Sequence, residues 1–130
     1  MATKTKTGIG RKTLSSSTLI GDSVVSRRGE DLGRIEELMI DPEEGRVSYA
    51  VVSVGGLLGM GDKLLAIPMQ ALHLSRGDKS FILDVDEEKL KNAPGFDKDN
   101  WPDMADTQWG STIHSYYGRT PYWDESTRIR

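Results

Sequence analysis

The sequence contains no cysteine, and only two histidines, two phenylalanines and five prolines among its 130 residues. Without cysteine there is no disulfide staple, no thiolate nucleophile and no cysteine-ligated zinc or iron–sulfur centre, a composition that fits a reducing compartment. Long apolar runs are missing as well. The best candidate is soon broken by glycines and by Asp62, well short of the roughly 18 residues that a membrane-spanning helix needs. Charge of one sign is also lacking: the net charge is -3 and the pI is near 5.4, so no global field draws the chain to nucleic acid or to an anionic membrane. The expectation is a soluble, cytoplasmic protein with no membrane insertion and no direct nucleic-acid binding.

The first 17 residues are rich in Thr, Ser and Lys and lack the apolar stretch of a secretory signal. They read as a disordered polar leader. Its basic residues, Lys4, Lys6, Arg11 and Lys12, have neither the aromatic interleaving nor the amphipathic period that RNA or membrane binding uses, so they read as solubilising. The 36% apolar content supports one modest core, hence one domain, 18–93, followed by an extension, 94–130.

The most regular part of the chain is the segment Leu32 to Gly56. Two apolar-rich runs flank Asp41-Pro42-Glu43-Glu44-Gly45. Asp41 can bond the backbone ahead of it, Pro42 has φ set for a corner, and Gly45 accepts positive φ, so the segment reads as a β-hairpin. Both runs carry apolar residues at odd and even positions, as strands covered on both faces do, and Ile40 and Val51 are assigned to the core. The apolar parity shifts between Ile35 and Leu38, which predicts a β-bulge near Glu36-Glu37. Further short strands are expected through Val24 and Val25, from Lys63 to Ile67, from His73 to Ser75 and from Ser80 to Val85. Pro68 should end one of them and open a single turn. Asp86 caps a short helix from Glu87 to Asn92, which Pro94-Gly95 stops. A second helix is expected to start at Asn100-Trp101-Pro102 and to end at Gly110.

These residues resemble the PRC-barrel family, known from the cytoplasmic part of the photosynthetic reaction-centre H subunit and from the ribosome maturation factor RimM. The resemblance rests on Gly21-Asp22, on Gly29 to Ile35, on Ile40 to Val52 and on Asp62 to Leu72. It implies a mainly all-β, small, strongly bent barrel of about six strands with a short C-terminal helical extension. It also implies a docking or adaptor role with no catalytic residue set and no cofactor.

The acidic groups Asp84, Asp86, Glu87, Glu88 and Asp97, Asp99, Asp103, Asp106 lack the central glycine and closing glutamate of a calcium loop, so they read as solvated surface or helix caps. His73 and His114 are too isolated to form a ligand set. No Gly-x-Ser-x-Gly elbow is present. Gly55, Gly56, Gly59 and Gly61 precede a strand, not the helix N-terminus that a phosphate loop requires. Two features exceed this background: Leu57, Leu58 and Met60 in the glycine-rich loop, and the aromatic tail with Trp101, Trp109, Trp123, Tyr116, Tyr117 and Tyr122. Each ring buries roughly 150 to 250 Å², more than a barrel this small absorbs inside. The expectation is a non-catalytic adaptor with a protein partner, forming a homodimer through Leu57, Leu58, Met60, Trp101, Trp109, Tyr116 and Tyr117. The alternatives are a factor linked to ribosome or RNA maturation, or a metal-dependent module using the acidic clusters.

Overall fold

The computed structural model describes residues 13–55, 63–75, 77 and 79–124. Six strands form one sheet: β1 (Ser23–Val25), β2 (Asp31–Asp41), β3 (Arg46–Ser53), β4 (Leu64–Pro68), β5 (Leu72–Leu74) and β6 (Ser80–Leu83). Their order is β4-β3-β2-β1-β6-β5. The outermost strands, β4 and β5, are consecutive in the chain and are joined by one 3₁₀ turn, Met69–Ala71. A connection that short forces the sheet to curl until its two ends approach, which is the bent half-barrel of the family resemblance. All pairings are antiparallel except β1 with β6.

The hairpin β2–β3 forms as its turn chemistry dictates. Asp41 Oδ1 accepts the backbone N–H groups of Glu43 at 3.0 Å and Glu44 at 3.1 Å, and Gly45 takes φ +69°, a left-handed conformation that costs glycine little. The bulge is present, with the register shifting between Ile35 and Glu37. A second shift between Met39 and Ile40 overturns one expectation: a one-residue slip exchanges the two faces of a strand, and Ile40 is 62% exposed. Coverage on both faces holds for β3 and β4, where Tyr49 to Val52 and Leu65 to Ile67 are at most 1% exposed. It does not hold for β2, where only Leu32 and Ile35 are buried.

Three helices accompany the sheet: α1 (Ser16–Leu19), α2 (Glu87–Lys91) and α3 (Thr107–Tyr116). Helix α1 begins inside the stretch read as leader, with the Ser15 side chain accepting the Thr18 N–H. Helix α2 has the expected cap, Asp86, which accepts the Lys89 N–H at 2.8 Å, and it buries Leu90 completely. Helix α3 starts later than expected. Its cap is Asp106, accepting the Gln108 N–H at 2.9 Å, and Gly110 lies inside the helix instead of ending it. The reason is tertiary: a Cβ at Gly110 would stand 2.8 Å from both the Tyr49 hydroxyl and the Trp123 ring.

Candidate functional site

The aromatic rings of the tail pack mostly on their own barrel. Tyr49, on the doubly covered strand β3, is the hub, meeting Trp109 at 5.2 Å, His114 at 5.5 Å and Tyr122 at 6.2 Å between ring centroids, all edge-on. Edge-to-face contact places the positive rim of one ring on the negative face of another, which favours this geometry over flat stacking. Burial pushes the Tyr49 hydroxyl up to about 12.

His114 is fully buried in this cluster. Its Nε2 lies 3.3 Å from the Tyr122 backbone N–H, which only donates, so Nε2 accepts and Nδ1 carries the proton toward the Gly110 carbonyl at 2.7 Å. Both nitrogens are committed to holding the helix and the tail together, which leaves neither for a substrate or a metal. His73, on β5, lies outside this cluster.

The same chain end is tied to the hairpin turn. The Tyr122 hydroxyl donates to Asp41 Oδ2 at 2.5 Å, while the other carboxylate oxygen holds the turn. That bond, followed by the turn N–H groups, lowers the Asp41 carboxyl below its ordinary range. Burial, reinforced by the neighbouring carboxylate, drives the Tyr122 hydroxyl upward. Two further ties fix the tail: Gln70 Nε2 donates to the Thr120 carbonyl at 2.9 Å, and the Tyr116 hydroxyl donates to the Lys89 carbonyl at 2.5 Å. Tyr117, the C-cap of α3, is buried with its hydroxyl unpartnered, and burial raises it strongly.

Of the residues singled out for an interface, Tyr117 is therefore taken up by its own chain, and Trp109 and Tyr116 are half-buried. Leu57, Leu58 and Met60 lie outside the described residues. Trp101 differs: it is 40% exposed yet held by two contacts. Its indole N–H donates to the Lys98 carbonyl at 2.9 Å, and its ring leans on Phe96 with centroids 5.1 Å apart. Beside it lies a hollow of about 260 Å³ lined by Ala66, Pro94, Phe96, Trp101, Pro102 and Trp109, among others. Sequence reasoning named Trp101 and Trp109 but not the hollow, which exists only because Phe96 bridges back to Leu64 on β4.

The acidic groups serve local structure. Asp103 accepts the Ala105 N–H at 3.1 Å, Asp106 and Asp86 cap helices, and Asp84 pairs with Arg27 at 3.1 Å. Among the described residues no group of three or more potential ligands is placed to hold a metal ion, and no helix is long and apolar enough to cross a membrane.

Comparison with known proteins completes the picture. No curated protein matches the chain. Among solved structures, a Pseudomonas aeruginosa protein described as the 16S ribosomal RNA processing protein RimM superposes with a TM-score of 0.38 at 19% identity, covering 58% of this chain and 45% of that one. This chain thus spans less than half the length of that protein. The model of the PRC-barrel domain family matches residues 12–90, from before α1 through most of α2. With more than half of its residues inside that match, and with the bent six-stranded sheet that the match implies, the chain belongs to the PRC-barrel domain family.

Proposed function

We propose that this protein is a non-catalytic adaptor that docks a protein partner on the face carrying Trp101. The single observation behind this reading is the contrast between Trp101 and the other aromatic residues of the tail. The other described rings of the tail are buried or half-buried, whereas Trp101, held by its indole bond and by Phe96, keeps 40% of its surface exposed beside a hollow. Tryptophan in such a setting is the residue type most often found to dominate binding energy at protein interfaces. Holding the ring in place beforehand removes part of the ordering cost of association. The commitment of both His114 nitrogens to structure speaks for binding over catalysis.

The test is site-specific photo-crosslinking from position 101 in cells, with Glu87 on α2 as control. Adducts of defined mass from position 101 alone, identified by mass spectrometry, support the reading. Absence of any adduct specific to position 101 overturns it. Pairing of two copies belongs to the same proposal and has a separate readout: light scattering should give twice the mass of one chain, and a monomer at all concentrations removes the homodimer from the reading. Co-sedimentation with ribosomal particles would favour the ribosome-linked alternative.

A further inference from the structure

We infer that the segment after α3, residues 120–124, is an acid-sensitive strap: a proton taken up by His114 competes with docking of the strap, while the sheet stays folded. This inference goes beyond the docking reading at Trp101 and does not rest on it. It follows from how the strap is seated and from the group that seats it.

The strap can leave without dismantling its neighbours. Helix α3 is closed before the strap begins, since the Gly118 N–H bonds the Ser115 carbonyl at 3.0 Å and the Arg119 N–H bonds the His114 carbonyl at 2.8 Å. Gly118 takes φ +71° there, the left-handed helix ending that satisfies the last carbonyls. The strap adds no strand to the sheet, so its departure opens no ladder. It is held by ring contacts and a few bonds. Tyr122 lies edge-on to Tyr49 at 6.2 Å, and Trp123 lies across Gly110, where a Cβ would stand 2.8 Å from its ring.

His114 is the acid-labile member of the seat. It accepts the Tyr122 N–H at Nε2, 3.3 Å away, while Nδ1 is spent on the Gly110 carbonyl at 2.7 Å. A proton added at Nε2 turns the one acceptor of the ring into a second donor. Two N–H groups then face each other around a ring that has no exposed surface, and charging a ring so placed also forfeits its hydration. The strap can be kept or the proton taken, not both.

The other titratable and charged groups packed here come from three elements. Strand β3 supplies the Tyr49 hydroxyl and Arg46, which stands over the Tyr122 ring at 5.1 Å. The hairpin turn supplies Asp41, bonded to the Tyr122 hydroxyl, and the C-terminal segment carries Tyr122, Arg119 and Asp124. Asp41 is held below its ordinary range and both tyrosines above theirs, so none of these three competes for the proton between about pH 7 and pH 5. The docked strap excludes a proton that the freed histidine takes. Its docking constant should therefore fall about tenfold per pH unit below about pH 6.5. Opening bares the side of Tyr49 that Tyr122 covers and the face of Gly110 that Trp123 covers.

The experiment follows backbone amide exchange on the full chain from pH 8 to pH 5, corrected for its intrinsic pH dependence. Protection of the Tyr122 amide should stay level to about pH 6.5 and then fall about tenfold per pH unit. Val51 and Val52, paired on both sides in β3, should stay level throughout. His114→Gln, whose side-chain oxygen can accept but takes no proton in this range, should abolish the slope, and His73→Gln, exposed on β5, should leave it. Level Tyr122 protection down to pH 5 overturns the inference, as does a parallel fall at Val51 and Val52. Those two readings on the unsubstituted chain decide the matter where His114→Gln does not fold. A slope that survives in folded His114→Gln, or vanishes in His73→Gln, overturns it as well.

Discussion

Strand β3 and the segment after Pro94 bury aromatic and aliphatic surface in opposite ways. On β3 the work is done by position: neighbours are hydrogen-bonded on both sides, so every side chain from Ser48 to Ser53 is buried whatever its parity. In the tail, the regular structure among the described residues is α3 and one short helical turn, and burial is achieved ring by ring through contacts with Tyr49 and through single hydrogen bonds to Asp41, Gln70 and Lys89. The first arrangement tolerates no charge anywhere. The second depends on a few contacts, each of which can be removed separately.

The largest effect should come from Val51→Asp. Val51 is fully buried and paired with both β2 and β4, and an unpaired carboxylate there costs more than about 4 kcal/mol, so cooperative thermal unfolding should disappear. Ile40→Asp, eleven residues away on the same hairpin, is the contrasting case. With Ile40 62% exposed, the melting transition should move by no more than about 0.5 kcal/mol. If the two substitutions behaved alike, position in the ladder would not be what protects β3.

Next is Gly110→Ala. In an exposed helix this change stabilises by about 1 kcal/mol, but here the new methyl meets Tyr49 and Trp123. The sign should reverse to a loss of about 1 to 3 kcal/mol by overpacking, with a change in near-UV circular dichroism from the displaced rings.

Tyr122→Phe removes the bond to Asp41 and should cost about 1 kcal/mol in denaturant unfolding, with most of that loss absent when Asp41 is already Asn. The pH profile reads the same contacts from two directions. Asp41 has a folded pKa below its unfolded value, so its contribution is present above about pH 4 and is lost as pH falls through the folded value. Tyr49, Tyr117 and Tyr122 have folded pKa values above the ordinary one. Their contribution is complete below about pH 10 and is lost as pH rises through the folded values, near 12 for Tyr49. The tyrosinate absorbance of these three should therefore appear together with unfolding, not ahead of it.

The barrel was largely readable from local rules because its signals are local. The parity change at Ile35 announced the bulge, Asp41 and Gly45 announced the turn, and Asp86 announced its helix. What could not be read depends on distant partners. Gly110 looked like a helix end because nothing nearby in sequence shows that Tyr49 and Trp123 exclude a side chain there. Ile40 looked buried because the second register shift is set by pairing with β3. The tail aromatics were visible as an excess of rings, but not that most would fold onto their own strand and leave Trp101 outside. The hollow beside it was illegible, since its floor is an edge strand and its roof lies some thirty residues further along the chain.

The two oxygens of Asp41 also order events in time. One is satisfied within three residues, and the other waits for a hydroxyl 81 positions later in the chain. During synthesis the hairpin emerges long before Tyr122 does, so that second oxygen has no hydroxyl to meet until 81 residues later. A chain cut before Tyr122 therefore loses both this bond and one of the three edge-on ring contacts of Tyr49.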